Sequence, residues 1–339
     1  MDDQVHVHLH PEDLASFAME TFGSGYRPAG ISRVFGGAQK VIYDVAFANG
    51  FHCLLYVWDL NMNFFKEDIL DTEGPAWNSY GADLFAMNHA FLTGNGIPTP
   101  ALHALNRDQE RYPFDYAFVE YMKGPKLEAY LFGSGTELAT NAGAGSSVRT
   151  EGLMEQFADV LKRMHGIRSR SYGKADHRDD QLVPCHRQQL ANAEKQLRFA
   201  AQHIHAVAEH EERLLRKLHE LEHRIMPRQD YGFIHGELGP DHVLVKGDAD
   251  LYLIDIEGAS FYDVEHEHSF LHLRFGEHYE RLRDDSLDPA RLAFYQLHQY
   301  LSLTAGGLKL LQRGFHDRAL AQGILDSNLR RALQFKGSS

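Results

Sequence analysis

One stretch of this chain, residues 231–258 (YGFIHGELGPDHVLVKGDADLYLIDIEG), constrains the fold more than any other. It contains two apolar runs separated by a polar loop, and this pattern predicts two strands with an irregular connection. Glycine and proline within the loop exclude a regular helix or strand there. Acidic residues follow the second run, so carboxylates should emerge where a buried strand reaches the surface. Such oxygen atoms suit a hard cation.

The same stretch resembles the catalytic region of the aminoglycoside phosphotransferase-like kinases, in which H-G-D-x-x-x-x-N precedes an apolar strand and then I-D-x-E. Here the loop at 235–242 is H-G-E-x-x-x-x-H, and I-D-I-E occupies 254–257. The histidine at the last loop position is similar to the macrolide phosphotransferase branch. Phosphoryl transfer in such folds needs a carboxylate that accepts the substrate hydroxyl proton, together with side chains that hold Mg²⁺.

The resemblance implies a role for each matching residue. Glu237 takes the position of the catalytic base, and His242, Asp255 and Glu257 take metal-binding positions. Glutamate in place of aspartate moves the carboxylate by about 1–1.5 Å, a displacement that matters for catalysis. Histidine in place of asparagine suits Mn²⁺ or Zn²⁺ better than Mg²⁺. His235 is either a second general base or a structural residue that steadies the loop through backbone hydrogen bonds.

Residues 31–60 predict three antiparallel strands, because β-branched and aromatic runs alternate there with turn sequences. Gly36 and Gly37 lie in the first turn, where a missing Cβ lets the backbone approach a phosphate. The family's nucleotide-covering loop lies at the same place. The resemblance therefore implies that these glycines contact ATP or GTP.

The lysine that grips phosphates in this family is absent from the third strand, where Tyr56 occupies its position. Its glutamate partner is also absent, and Phe85 is the aligned residue. Losing both partners is self-consistent, because an unpaired buried charge is costly. Lys40, Arg33 and Lys66 are candidate replacements, although a solvated surface position is the favoured interpretation of each.

The helix predicted at about 79–94 leads into G-I-P-T-P at 96–100, which resembles the family's G-x-P-x-P connection. A final strand of the small lobe and a hinge follow. The resemblance places adenine against the hinge backbone at Glu120, Tyr121 and Met122.

The second half of the chain is mainly helical in pattern. Apolar spacing predicts an amphipathic helix at 153–167, and a longer helical stretch at about 186–226 is either a solvated hairpin or part of a substrate-binding insert. Residues 133–150 are rich in Gly, Ala, Ser and Thr and predict a flexible loop. Asp263 and Glu267 match acidic positions that brace the catalytic loop in the family.

Other metal chemistry finds little support in the sequence, although the chain has 22 histidines. His268 and His272 have helical spacing, but the glutamate of a hydrolytic zinc motif is absent after His268. His6, His8 and His10 alternate at the N-terminus and could share one face of a strand, although a solvated arm is the commoner arrangement.

Composition narrows the class of protein and of partner. The formal charge of −13 argues against nucleic acid as a partner. The two cysteines, Cys53 and Cys185, make no disulfide framework, and no targeting or membrane-spanning pattern occurs. We therefore expect a cytoplasmic protein, with no membrane partner, that is a monomer or a homodimer.

Together these observations predict an α+β, bilobal protein-kinase-like fold, with a small antiparallel-sheet lobe at 1–120 and a larger, mainly helical lobe at 121–339. The expected activity is transfer of the γ-phosphoryl group of ATP or GTP, with Mg²⁺, to a hydroxyl of a small molecule. A natural-product antibiotic is the expected acceptor. A metabolic sugar or amino alcohol is the enzymatic alternative, and a catalytically silent nucleotide-binding protein is the alternative from another class.

Overall fold

A computed structural model describes residues 8–34, 37–71, 80–133, 144–176, 183–247 and 249–337, with backbone alone at 144–147. Its first half is built on one five-stranded antiparallel sheet of order β1-β2-β3-β5-β4. The strands are β1 (Pro28–Val34), β2 (Val41–Phe47), β3 (His52–Trp58), β4 (Leu102–Asn106) and β5 (Asp115–Glu120). The three strands predicted at 31–60 are confirmed as β1 to β3.

The sheet has two unlike faces because successive side chains of a strand point to opposite sides. On β2, Val41, Tyr43, Val45 and Phe47 are buried and the intervening residues are only partly covered. The buried side chains share a core with α1 (Ala15–Phe22). The other face, which carries Ile42, Leu54 and Tyr56, lines a cleft against the rest of the chain.

Helix α3 (Ala82–Gly94) connects the sheet to the second half, and it confirms the helix predicted at 79–94. A short helix, α2 (Lys66–Leu70), precedes it. Phe85 and Leu92 of α3 are buried in the larger core, together with Tyr56 and Trp58 of the sheet. One continuous apolar core therefore joins the inner face of the sheet to the helical half.

The second half is mainly helical. Its helices are α4 (Leu127–Phe132), α5 (Ala144–His165), α6 (Cys185–His203), α7 (His205–Ala208), α8 (Glu211–Glu222), α9 (Val264–Phe275), α10 (Pro289–Gln312) and α11 (Arg318–Gln334). Two small sheets accompany them, formed by β6 (Arg168–Ser169), β7 (Tyr231–Ile234) and β10 (Ser260–Tyr262), and by β8 (Val243–Lys246) and β9 (Asp250–Leu253). The predicted α+β architecture with a sheet lobe and a helical lobe is confirmed.

Two local predictions need correction. The helical stretch at 186–226 is divided among α6, α7 and α8, with an extended break at Ile204. The loop predicted at 133–150 is wrong from residue 144 onward, where α5 begins. The amphipathic C-terminal part of α5 stabilises the helix as a whole. The helix therefore continues toward its N-terminus through residues of low intrinsic helix propensity. Residues 134–143 lie outside the described part of the chain.

Within the described part, no helix combines the length and apolarity needed to cross a membrane.

Candidate active site

A cleft of about 890 Å³ lies between the five-stranded sheet and the helical lobe. We call the part bounded by the sheet and the segment after β5 the sheet end; its walls include Ser32, Val34, Ile42, Leu54, Tyr121 and Met122. We call the part bounded by α6 and α10 the helical end; its walls include Gln189, Asn192, Gln196, His298, Gln299 and Ser302. Glu237, His242 and Asp255 line the same cleft.

The 235–242 loop connects β7 to β8 and ends in a 3-10 turn at Pro240–His242. Gly236 adopts a φ of +94°, and a Cβ there would come within 3.0 Å of the carbonyl oxygen of Gly258. Only glycine fits both the positive φ and this close approach. Gly236 therefore allows the loop to pack closely against the segment that carries Glu257.

Glu267 of α9 holds the beginning of this loop. Its carboxylate accepts hydrogen bonds from the backbone N–H groups of His235 (2.8 Å) and Gly236 (2.9 Å), and lies 3.2 Å from Nε2 of His165. Burial alone would raise the pKa of Glu267, but the His165 hydrogen bond and charge, with His235, outweigh it and lower the pKa to about 2. Glu267 thus stays ionised and is a rigid brace beneath the loop.

Both ring nitrogens of His235 face the backbone. Nε2 lies 2.8 Å from the carbonyl oxygen of Ile254, which can only accept, so Nε2 carries the proton. Nδ1 then accepts the N–H of Glu237 at 3.4 Å. Burial lowers the pKa of this completely buried ring. No lone pair of His235 is left for a substrate proton.

The Glu237 side chain opens onto the cleft. The side chain is exposed to solvent within the cleft, and the surrounding protein atoms desolvate its charged form enough to raise its pKa. The charge of His242 opposes this rise, whereas the neighbouring carboxylates Asp255 and Glu257 reinforce it. A carboxylate with a raised pKa in a cleft is suited to accept a proton near neutral pH.

Asp255 follows β9 in the left-handed region, with φ 60° and ψ 46°, the one non-glycine residue with a positive φ in the described part of the chain. Such a conformation costs of order 1 kcal/mol and recurs at functional sites. It turns the carboxylate toward Lys40 and places it 3.4 Å from Nε2 of His242. Burial would raise the pKa of Asp255, but the Lys40 and His242 charges lower it strongly.

Lys40 precedes β2 and is 9% exposed, so the solvated-surface alternative is wrong for this residue. Its ammonium contacts the Asp255 carboxylate and lies 2.8 Å from Oε1 of Glu257. Burial would lower the pKa of Lys40, but the two carboxylates raise it well above its usual value. The side chain therefore remains a cation between two anions.

Tyr56 occupies the strand position at which the family has its lysine, and its ring contacts that of Phe85. The rings of Tyr56 and Phe85 lie 5.5 Å apart, and the Lys40 ammonium lies 5.2 Å from the Tyr56 ring centre. Lys40 directly precedes the neighbouring strand β2, and its ammonium thus lies above the Tyr56 ring. The other candidates, Arg33 and Lys66, are not among the residues that line the cleft.

Sequence reasoning did not identify two residues that position Glu257. Trp58 Nε1 donates to its carboxylate at 3.2 Å. Asn88 Nδ2 donates to the backbone carbonyls of Ile256 (2.8 Å), Ala259 (3.0 Å) and Glu257 (3.2 Å). The signal for Asn88 was an amide on the apolar face of a helix, because a buried amide needs partners.

Asp255, Glu257 and His242 have the donor atoms that a divalent cation would use. Lys40 already places one positive charge between the two carboxylates, so the structure provides a cation position there. Nδ1 of His242 donates to the carbonyl of Glu237 at 2.8 Å, which leaves Nε2 facing Asp255. No cluster of three acidic, histidine or cysteine ligands occurs among the described residues. Mg²⁺ commonly takes one or two carboxylates and completes its shell with phosphate and water, so Asp255 and Glu257 fit it, whereas the imidazole of His242 suits Mn²⁺ or Zn²⁺ better.

The alternative metal positions lack support in the described residues. His8 contacts the hydroxyl of Tyr43, and His268 Nδ1 lies 3.1 Å from the hydroxyl of Tyr279. His6 lies outside the described part of the chain.

The predicted nucleotide-contacting residues lie at the sheet end where they are described. Gly37, Lys40, Glu120, Tyr121 and Met122 line the cleft, whereas Gly36 lies outside the described residues. Sheet pairing of β5 ends at Glu120, so the chain leaves the sheet at this point. The Glu120 carboxylate accepts the N–H of Ala101 (3.1 Å) and contacts Lys246 (3.2 Å), which fastens the segment to β8.

Uncharged polar groups from α6 and α10 line the helical end, together with Lys195 and Lys309. On α6 these residues recur at helical spacing, so they share one face. The structure brings this face opposite α10, which the sequence did not indicate.

Comparisons with known proteins agree with this fold. The profile of the phosphotransferase enzyme family matches residues 70–305. No curated protein matches the sequence. Among solved structures, a thermostable mutant of aminoglycoside phosphotransferase APH(4)-Ia is 15% identical with a TM-score of 0.59, over 93% of this chain and 98% of that one. Spectinomycin phosphotransferase APH(9)-Ia, in complex with ADP and spectinomycin, is 13% identical with a TM-score of 0.59, over 97% and 99%. Choline kinase LicA from Streptococcus pneumoniae is 14% identical with a TM-score of 0.57, over 94% and 98%.

Proposed function

This chain belongs to the phosphotransferase enzyme family, and we propose that it transfers the γ-phosphoryl group of ATP or GTP to a hydroxyl group of a small molecule. Enzymes of this family are small-molecule kinases, so the family gives the reaction class. The roles of the individual residues are what we propose. One observation carries the assignment. A buried lysine, two carboxylates and a third carboxylate of raised pKa converge in one cleft.

Glu237 is the general base of the proposed reaction. Its carboxylate opens onto the cleft, and its raised pKa favours proton transfer from an alcohol during attack on the phosphoryl group. Both nitrogens of His235 are engaged by backbone groups, so we assign His235 to positioning of the loop rather than to a second base role. Glu267 holds the same loop from below.

Lys40 takes the role of the absent third-strand lysine and neutralises the nucleotide phosphates. Its partner in the protein is the Asp255 and Glu257 pair rather than a glutamate of α3. The sheet pairing of Ile42 with Tyr56 explains how this exchange is possible, because it places the start of β2 beside the end of β3.

Asp255, Glu257 and His242 would hold a divalent cation, which supplies charge neutralisation of the phosphates when it is bound. Asp255 is kept ionised by its neighbours, as a cation ligand must be. The hinge segment at Glu120, Tyr121 and Met122, with Gly36 and Gly37, would hold the nucleotide. These residues follow the resemblance, and the sheet end of the cleft offers the space.

A natural-product antibiotic is the acceptor that we propose within this class, since two of the similar structures are antibiotic phosphotransferases. A metabolic hydroxyl compound is a second candidate, because a choline kinase has the same fold.

Thermal unfolding with ATP or GTP, each with Mg²⁺ or EDTA, tests the nucleotide site, since a ligand of the native state raises the unfolding midpoint. We expect a metal-dependent rise with at least one nucleotide, and ADP or GDP release when an acceptor is added. No rise at millimolar nucleotide would contradict the proposal and favour a silent kinase-like protein.

A further inference from the structure

We infer that the acceptor is an electrically neutral molecule rich in hydroxyl groups, of the carbohydrate or polyol class, and that it binds at the helical end of the cleft. This inference rests on the proposed function. It names the class of acceptor by the chemistry of the wall that would contact it, and of the two acceptors proposed above it favours the metabolic sugar over a cationic antibiotic.

The helical end presents amides that are linked into one network. Gln196 Nε2 donates to Oδ1 of Asn192 at 3.1 Å, and Asn192 Nδ2 lies 3.3 Å from Oε1 of Gln189 and 3.2 Å from Nε2 of His298. Ser302 Oγ lies 3.4 Å from the same His298 nitrogen. Each amide both donates and accepts hydrogen bonds, which matches the dual character of a hydroxyl group.

The charged side chains of the helical end are already matched in pairs. Lys195 contacts Asp71 and Lys309 contacts Asp68, and next to the 235–242 loop Arg274 Nη2 lies 2.7 Å from Oδ1 of Asp241; these six residues line the cleft. Within the described ranges, each of these three cations thus faces an aspartate. A charged group of an acceptor that lies between α6 and α10 would have to displace one of these partners, and leaving a partly buried charge unpaired is costly.

Two histidines extend this neutral surface. His266 and His298 are buried, and Gln299 Nε2 lies 3.3 Å from Nε2 of His266. Burial lowers the pKa of His266 to about 4 and that of His298 to about 3, so neither ring is charged at neutral pH. Both rings therefore add hydrogen-bonding atoms without adding charge.

Two aromatic rings near these ion pairs already contact protein cations. Phe65 and Phe270 are among the described residues that line the cleft. The Arg313 guanidinium lies 6.0 Å from the Phe65 ring centre, and the Arg274 guanidinium lies 5.6 Å from that of Phe270. A quaternary ammonium alcohol needs free aromatic faces or surplus carboxylates, and these rings already carry protein cations.

The test is a matched acceptor panel with two readouts, ADP release and thermal unfolding in the presence of ATP and Mg²⁺. The neutral probes are myo-inositol, methyl glucoside, maltose and maltotriose; the cationic probes are kanamycin, hygromycin B, choline and ethanolamine. We expect at least one neutral probe to raise ADP release at least tenfold over the rate without acceptor. We expect the cationic probes to leave that rate unchanged.

A variant that adds a charge to the helical end is a second test of the inference. Asn192→Asp adds a carboxylate to the amide network, and we expect it to raise the KM for the active neutral acceptor about tenfold while the KM for ATP is unchanged. Asn49→Asp makes the same chemical change in an exposed turn and should alter neither value.

Turnover of a cationic probe with neutral probes inactive would overturn the inference, as would inactivity of every neutral probe in protein that binds ATP. Failure of the protein to bind ATP would instead overturn the proposed function. The nucleotide-dependent unfolding shift, measured without acceptor, separates these two failures.

Discussion

At the sheet end of the cleft, Lys40 lies between Asp255 and Glu257. The Glu237 carboxylate lines the same cleft, and among the described residues no lysine or arginine forms an ion pair with it. At the helical end, Lys195 and Lys309 are each paired with an aspartate, and amides from α6 and α10 line the wall beside them. The first arrangement concentrates charge where phosphates and a cation would lie. Among the described residues, the second arrangement pairs its charges within the protein. In the function and acceptor that we propose, one continuous cleft binds an anionic nucleotide and a neutral acceptor by separating charge from hydrogen bonding.

Removal of the base should have the largest effect on this charged end. We expect Glu237→Ala to lower kcat by about 10³-fold, within the range for loss of a general base. ATP binding should persist, because the nucleotide-contacting residues are unchanged. Glu110→Ala, an exposed carboxylate far along the chain, is the control. Unchanged turnover by Glu237→Ala would refute the base assignment.

Glu267 lies beneath the loop that both ends share, so its loss should damage both together. We expect Glu267→Gln to lower the free energy of unfolding at neutral pH by about 3 kcal/mol, since a shift of 2 to 3 pKa units corresponds to that amount. The folded-state pKa is about 2 against a usual 4.5, so this stability is fully present above pH 4.5 and is lost as pH falls through about 2.

Urea unfolding of wild type and Glu267→Gln between pH 7 and pH 3 measures this dependence. The wild-type free energy of unfolding should fall more steeply below pH 5 than that of the variant. Parallel curves would show that the Glu267 charge does not stabilise the fold.

The Lys40 assignment predicts a rescue. Lys40→Met should lower kcat/KM for ATP about 10²-fold, because it removes a charge that faces the phosphates. Adding Tyr56→Lys should restore part of the activity, since a lysine at 56 starts from the position above which the Lys40 ammonium now lies. Lys66→Met, outside the cleft, serves as the control. If Lys66→Met lowers activity as much as Lys40→Met, the assignment is wrong.

The smallest expected effect is on the pH profile. The proposed reaction requires the ionised form of Glu237, and the pKa of Glu237 is raised above 4.5, so kcat/KM should fall as pH decreases through that raised value. The Lys40 charge lowers the pKa of Glu237. Lys40→Met should therefore move the acid limb of the kcat/KM profile to higher pH. An acid limb at the same pH in wild type and Lys40→Met would show that the Lys40 charge does not affect the pKa of Glu237.

Sequence reasoning succeeded where the evidence is local. The strands from Pro28 to Trp58 and the helix at 82–94 follow from short-range periodicity and turn residues. It failed at the start of α5, because the helix there depends on its buried C-terminal part rather than on the residues that begin it. The helical insert gave no indication of its acceptor, since α6 and α10 lie about a hundred residues apart in the chain.

The sequence by itself determined the order of chemical groups in the 235–242 loop and the carboxylates at 255–257, because glycine, proline and acidic residues at fixed spacing have direct backbone consequences. It also supplied Lys40 as one of three candidates. Only the tertiary structure decided among them, because Lys40 and Asp255 are 215 positions apart and meet through the pairing of β2 with β3 and the packing of the sheet on the helical lobe. The same holds for the neutral helical end, since which charges cancel depends on which side chains the packing of helices brings into contact.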